Sequence, residues 1–212
     1  MKRIFGIIIC LTLVISTFTG IAVVNADSTK VKNVILLIPD GMSISHTALA
    51  RWYKGGTPLA MDEIVSGLVR TYSSDAAIAD SAPAGTAMAT GYKSHTGYIG
   101  VLPDVANMPG QKSIIPGDGK KPVATVLEAA NYIGKATGIV STSRVQHATP
   151  AAFTSHYHDR NAYEIIAEQQ VYNDVDVVLG AGSGYLDGSK RKDKEDLIGI
   201  IKGEGYDYVT TK

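Results

Sequence analysis

The chain has 212 residues, 45% of them hydrophobic, with a formal net charge of +0. That is enough apolar matter for one sizeable folded domain, and it excludes wholesale disorder. The missing basic excess argues against nucleic acid as a partner, and a single cysteine excludes a disulfide-stapled scaffold.

Lys2 and Arg3 precede an apolar run from Ile4 to Val24, and Val24-Asn25-Ala26 offers small residues for cleavage. This pattern predicts a secretory signal over 1–26 and hence an exported protein. The run is also long enough to serve as a retained membrane anchor. Cys10 lies inside it, so the mature chain, 27–212, is expected to contain no cysteine.

Beyond the signal, Asn33-Val34-Ile35-Leu36-Leu37-Ile38 is a continuous apolar run of strand length, as expected of a strand covered on both faces. It ends at Pro39-Asp40-Gly41, which places Asp40 where a strand gives way to a loop, the edge at which open α/β sheets bind ligands. A turn aspartate before glycine is the plainer reading. Ile44 to Tyr53 is expected to be helical, and Gly67 to Tyr72 to form a second strand.

Next comes Ile78-Ala79-Asp80-Ser81-Ala82-Pro83-Ala84-Gly85-Thr86-Ala87-Met88-Ala89-Thr90-Gly91. The run reads as a helix of small residues that leave its outer surface uncrowded, with Ser81 at the first turn. Backbone N–H groups and the helix dipole there favour an anion, or an alkoxide as it forms. A serine hydroxyl is a weak nucleophile, and no Lys or His adjoins it in sequence to act as base, while Asp80 adds negative charge. The stretch therefore asks for a metal, unless Ser81 merely opens the helix.

The region 96–116, rich in Gly and Pro, predicts a surface excursion. A helix is expected over 123–133, a strand over 137–142, and a helix from Ala151. Further on, a helix is expected over 161–170, a strand over 175–180, a charged helix over 193–202 and a strand start at 206–209. Alternating strands and helices predict an α/β fold with a doubly wound, mostly parallel sheet and helices on both faces. Gly180-Ala181-Gly182-Ser183-Gly184 has the wrong spacing for a dinucleotide loop. The charges between Lys190 and Asp196 are expected to be a solvated helix start.

Asp40, Asp80-Ser81, His147-Ala148-Thr149 and Arg160 are thus expected along one edge of the sheet. A carboxylate and a threonine hydroxyl suit a hard cation, a serine beside such a cation is a usable nucleophile, and an arginine clamps phosphate or sulfate.

On these residues the chain resembles the N-terminal part of the alkaline phosphatases. Pro39-Asp40-Gly41-Met42 is similar to the family's first metal-binding strand end. Ile78 to Thr86 resembles its nucleophile signature, and His147-Ala148-Thr149-Pro150-Ala151-Ala152 with Arg160 its magnesium-side loop and phosphate-binding arginine. The resemblance implies Zn²⁺ and Mg²⁺ as cofactors and phosphate monoesters as substrates, with reaction through a phosphoserine on Ser81. It implies that Asp40, Ser81 and Thr149 are metal ligands, that Arg160 holds phosphate oxygens and that Asp80 orients Arg160. It further implies that His147 borders the third metal site, where some bacterial members carry aspartate. A homodimer is implied as well.

The family's remaining ligands belong to its C-terminal half, so the chain reads as truncated; His46, His95, His147, His156 and His158 form no spaced zinc set that could replace them. Two alternatives stand beside this reading. One is an inactive fragment or phosphate-binding module. The other is a sulfatase or phosphodiesterase of the same superfamily, disfavoured because the sulfatase signature needs an arginine where Gly85 stands.

Overall fold

The computed structural model describes residues 31–111 and 113–211. The expected signal segment 1–26, with Cys10, lies outside them. The chain divides into two units, Met1–Pro39 and Asp40–Lys212. In the first, the run 33–38 takes part in no ladder. Among the described residues, every helix and strand lies in the second. No helix among the described residues is long and apolar enough to cross a membrane.

The helices of the second unit are α1 (Ile44–Tyr53), α2 (Ser81–Thr90), α3 (Val126–Tyr132), α4 (Ala148–Ala151), α5 (Tyr163–Tyr172) and α6 (Leu197–Gly203). The strands are β1 (Gly138–Arg144) and β2 (Val177–Ala181). They pair in parallel, with Gly138 opposite Val177 and Val140 opposite Leu179, and the register slips before Arg144 meets Ala181. The chain crosses from β1 to β2 through α4 and α5, the βαβ connection that parallel pairing requires. The fold is α/β with a parallel sheet and helices.

Local chemistry explains the helix ends. Thr125 caps α3 in a box with Glu128: the Glu128 N–H donates to Thr125 Oγ1 at 3.1 Å, and the Thr125 N–H donates to Glu128 Oε2 at 2.7 Å. Asp80 caps α2 by accepting the Ala82 N–H at 2.6 Å, and Gly91 ends that helix at φ 78°. Both α2 and α4 carry proline in the third position, Pro83 and Pro150, where the missing N–H would have no helical partner anyway. The helix expected from Ala151 thus starts at Ala148 and ends at Ala151.

The core is a seam of small side chains. Ala82, Ala148, Ala151 and Ala152 are buried with Ile99 and Ile166. A Cβ on Gly85 would stand 3.0 Å from Ala152 Cβ and 3.5 Å from Thr149 Cα, so glycine lets α2 and α4 come together. This corrects the expectation that the small residues keep the outer surface of α2 open. Ala82, Pro83, Gly85, Thr86 and Ala89 face inward.

Three expected strands, 33–38, 67–72 and 206–209, join no ladder; the sheet among the described residues has two strands. Parallel pairing needs a neighbouring strand in register, and an apolar run without one leaves its side chains in solvent: Leu68 and Val69 are 91% and 85% exposed. The glycines at the end of β2 and just beyond it are a packing device. A Cβ on Gly180 would meet Val145 Cγ1 at 2.8 Å, and one on Gly182 would overlap Gln146 Oε1.

The charge cluster at 190–196 is not a solvated helix start. Arg191 is buried and donates to Asp193 and Glu195 and to the carbonyls of Glu164 and Tyr185. The helix follows only at Leu197.

Candidate active site

The α2–α4 seam sets two hydroxyls against one carboxylate. Ser81, first residue of α2, donates from Oγ toward Asp40 at 3.0 Å from Oδ1 and 2.9 Å from Oδ2. Thr149, second residue of α4, donates from Oγ1 to Asp40 Oδ2. Residues far apart in sequence thus converge because the helices bearing them can approach across Gly85.

Asp80 organises the other side. Its Oδ1 takes the Ala82 N–H and stands 3.3 Å from Arg160 Nη1, while Oδ2 accepts the Gly97 N–H at 3.0 Å. The Arg160 N–H in turn donates to the Gly97 carbonyl at 2.9 Å. Arg160 is therefore held at both backbone and side chain, and its guanidinium lies beside the cap of the helix that begins with Ser81. Gly97 was not legible as a site residue. The only signal was a glycine in the loop, and its φ of 81° shows why glycine stands there.

Electrostatics fit this geometry. The Thr149 hydrogen bond, above all, holds the Asp40 carboxyl below its usual range against the upward push of burial; Ser81 and the charges of His147 and Arg160 add to the lowering. His147 caps α4. Burial lowers its pKa, the positive charges of Arg160 and Arg144 lower it further, and Asp40 only partly offsets them. Its imidazole is therefore neutral at and above neutral pH, free to accept a proton or a cation.

The residue facing the serine hydroxyl is thus Asp40, and a carboxylate of lowered pKa is a weak base. With two hydroxyl oxygens beside it, it forms part of an all-oxygen shell that suits a hard divalent cation. Among the described residues no three His, Cys, Asp or Glu side chains gather as a metal cluster, so the donor set is a partial one. The six residues singled out by sequence, Asp40, Asp80, Ser81, His147, Thr149 and Arg160, are linked here by hydrogen bonds, an ion pair or mutual electrostatic influence. His156 lies apart: its ring nitrogens stand 2.7 Å from the Gly100 carbonyl and 2.7 Å from Glu128 Oε1, a role in holding loops to α3.

The fold is that of an α/β protein in which a serine at a helix N-terminus, a carboxylate and a second hydroxyl across from it, and an arginine braced beside it are brought together. A sequence model of the alkaline phosphatases matches residues 31–212, and the chain belongs to that family. It is 39% identical to alkaline phosphatase 3 of Bacillus subtilis over 194 residues, covering 85% of this chain and 38% of that protein. To the repressible alkaline phosphatase of Saccharomyces cerevisiae it is 34% identical, over 98% of this chain and 39% of the relative. Among solved structures, that of alkaline phosphatase from the Antarctic bacterium TAB5 superimposes with a TM-score of 0.72 at 34% identity, over 85% of this chain and 48% of that one. A variant of the TAB5 enzyme with a histidine exchanged for aspartate is described with Mg bound in its M3 site. The chain spans about two fifths of the length of these curated relatives.

Proposed function

We propose that the chain carries the nucleophile side of a metal-dependent phosphomonoesterase site. The observation that supports this most directly is the convergence of Ser81 and Thr149 on Asp40, with Arg160 braced by Asp80 next to the serine. In this reading Ser81 Oγ, giving up its proton, attacks phosphorus as the ester P–O bond breaks and the alcohol leaves with a proton; water then attacks the resulting phosphoserine, releasing inorganic phosphate and the free serine. Arg160 holds two phosphate oxygens through its planar fork, and the ion pair with Asp80 keeps that fork aimed. The positive end of the α2 dipole would lie beside the phosphoryl oxygens and favour their charge. Asp40 with Ser81 would hold Zn²⁺, and Asp40 with Thr149 would hold Mg²⁺, while neutral His147 borders the third site. Bound there, the cations would lower the pKa of the serine hydroxyl and neutralise developing charge.

The substrates would be phosphate monoesters. The N-terminal sequence supports export through a cleaved signal over 1–26, with retention as an anchor the other possible outcome, and 27–212 as the N-terminal part of the catalytic domain. Family resemblance supports a homodimer. Hydrolysis of a generic aryl phosphate at alkaline pH, with Zn²⁺ and Mg²⁺ supplied and Ser81→Ala as control, tests the proposal. Acid quenching during turnover should leave phosphate on Ser81 of the parent protein only. Turnover that survives in the variant would sink the nucleophile assignment.

A further inference from the structure

The loop 97–100 joins Arg160 to residues outside the site. At one end Gly97 gives its N–H to Asp80 and takes the Arg160 N–H on its carbonyl. In the middle Ile99 and Tyr157 form an antiparallel bridge, each N–H donating to the other's carbonyl at 2.8 Å. At the far end the Gly100 N–H donates to the buried Thr86 hydroxyl at 2.9 Å, and that hydroxyl donates to the Tyr98 carbonyl at 3.2 Å. Thr86 belongs to α2, so the loop is tied to the helix that opens with Ser81.

The Gly100 carbonyl accepts the Val123 N–H at 2.9 Å and faces His156 Nδ1 at 2.7 Å. A carbonyl only accepts, so the proton of the second bond sits on Nδ1. Across the ring, Nε2 stands 2.7 Å from Glu128 Oε1, while Glu128 Oε2 takes the Thr125 N–H. The imidazole is therefore a strut between α3 and the end of the loop. Gly100 has φ 59°, and a Cβ there would overlap the Ser155 carbonyl oxygen and stand 2.6 Å from His156 Nδ1, so this approach admits no side chain. The His156 backbone is held apart from its ring: its N–H donates to Gln169 Oε1 at 2.6 Å, and Gln169 Nε2 donates to its carbonyl at 3.2 Å.

The geometry points to His156 as a positioning residue for Arg160, acting through the Gly100 carbonyl and the loop 97–100. The inference rests on the phosphate reading of Arg160. Gly97 bonds both to the arginine's backbone and to Asp80, the carboxylate paired with its guanidinium. A shift of the loop therefore moves the arginine and its partner together. An arginine that clamps two oxygens has to be held to a fraction of an ångström by groups that are themselves fixed. The Nδ1 bond supplies that fixity at the loop's far end.

The two arms of the ring can be tested separately. An asparagine amide nitrogen reaches about as far as Nδ1, and a glutamine amide nitrogen about as far as Nε2. Hydrogen exchange of the Gly97 and Arg160 amides and calorimetric binding of inorganic phosphate are measured on the full chain supplied with Zn²⁺ and Mg²⁺. His156→Gln keeps the reach to Glu128 and loses the Gly100 bond. Both amides should then exchange about fivefold faster, and phosphate should bind about fivefold more weakly. His156→Asn keeps the Gly100 bond, and both readings should stay within about twofold of the parent. Equal loss in the two variants would make the ring a packing strut only, and that result, or no loss in either, overturns the inference. Faster exchange in His156→Gln with unchanged phosphate affinity overturns it too, since the loop would not be aiming the arginine. If His156→Gln does not fold, His156→Asn decides alone: parent-like exchange and affinity uphold the inference, and a loss of either in the folded variant overturns it. If the parent binds no phosphate, the phosphate reading itself fails and the positioning role falls with it.

Discussion

The seam between α2 and α4 and the ladder between β1 and β2 solve the same packing problem in opposite ways. At the seam, Ala82, Ala148, Ala151 and Ala152 are sealed from solvent, and even one added methyl at Gly85 would press on Ala152. On the ladder, Val140 stays 76% exposed and Val177, Val178 and Leu179 are all open to solvent, although the backbone pairing is regular through most of its length. The seam thus places side chains while the ladder, among the described residues, places only backbone. Chemistry that depends on tenths of an ångström belongs with the first kind of packing, and that is where Ser81 and Thr149 stand.

Substitutions can break or sharpen this contrast. The largest effect is expected from Ser81→Ala, which removes the proposed nucleophile. Aryl phosphate hydrolysis should fall at least about a thousandfold with the circular dichroism spectrum unchanged. Gly85→Val drives a branched side chain into the seam and should cost about 1–3 kcal/mol in urea denaturation, with hydrolysis falling as Thr149 is pushed off Asp40. A cost near zero would mean the seam is looser than described. Thr125→Ala removes the α3 cap and a hydrogen bond to the Phe153 carbonyl, and should cost about 1–2 kcal/mol by the same measurement.

A pH effect should come next. Burial pushes the Glu128 carboxyl up, but hydrogen bonds from His156 and the Thr125 N–H outweigh it and leave the pKa below the ordinary value of 4.5. A depressed folded-state pKa means stability that is present above the unfolded value and lost as pH falls through the folded one. Denaturation midpoints of the parent protein should therefore drop below about pH 4.5 more steeply than those of Glu128→Gln. Parallel curves would remove Glu128 from the account. The smallest change is expected from Val140→Thr on the ladder, within about 0.5 kcal/mol. A loss above about 1 kcal/mol would show that this face is covered in the working protein.

Much of the site was legible in the sequence because its residues sit at local signals: a helix-opening serine behind aspartate, a carboxylate before glycine, a threonine before proline. Strand and helix positions were also clear where the period was strong, as in α1, whose bounds match those expected, and in β1 and β2. What failed was strand pairing and burial that depended on a partner distant in sequence. The runs 33–38 and 67–72 have ideal strand composition, yet a ladder needs a neighbour in register, and composition does not say where that neighbour lies. The burial of Arg191 was hidden for the same reason: a charge among charges reads as solvated until Glu164 and Tyr185 supply their carbonyls. Gly97 and the inward turn of the α2 glycine likewise have meaning only once another segment is beside them.

The three-way contact at Asp40 also sets a clock. Its hydrogen bonds to Ser81 and Thr149 span 41 and 109 positions of the chain. Closing loops of that length costs entropy before any contact rewards it, so such contacts form late and slowly compared with helices. During synthesis the serine helix can form as soon as Gly91 is made, but the hydroxyl pair cannot close until α4 has emerged nearly sixty residues later. The nascent chain therefore passes through a long interval in which it carries Ser81 without the carboxylate and second hydroxyl that meet it in the folded protein.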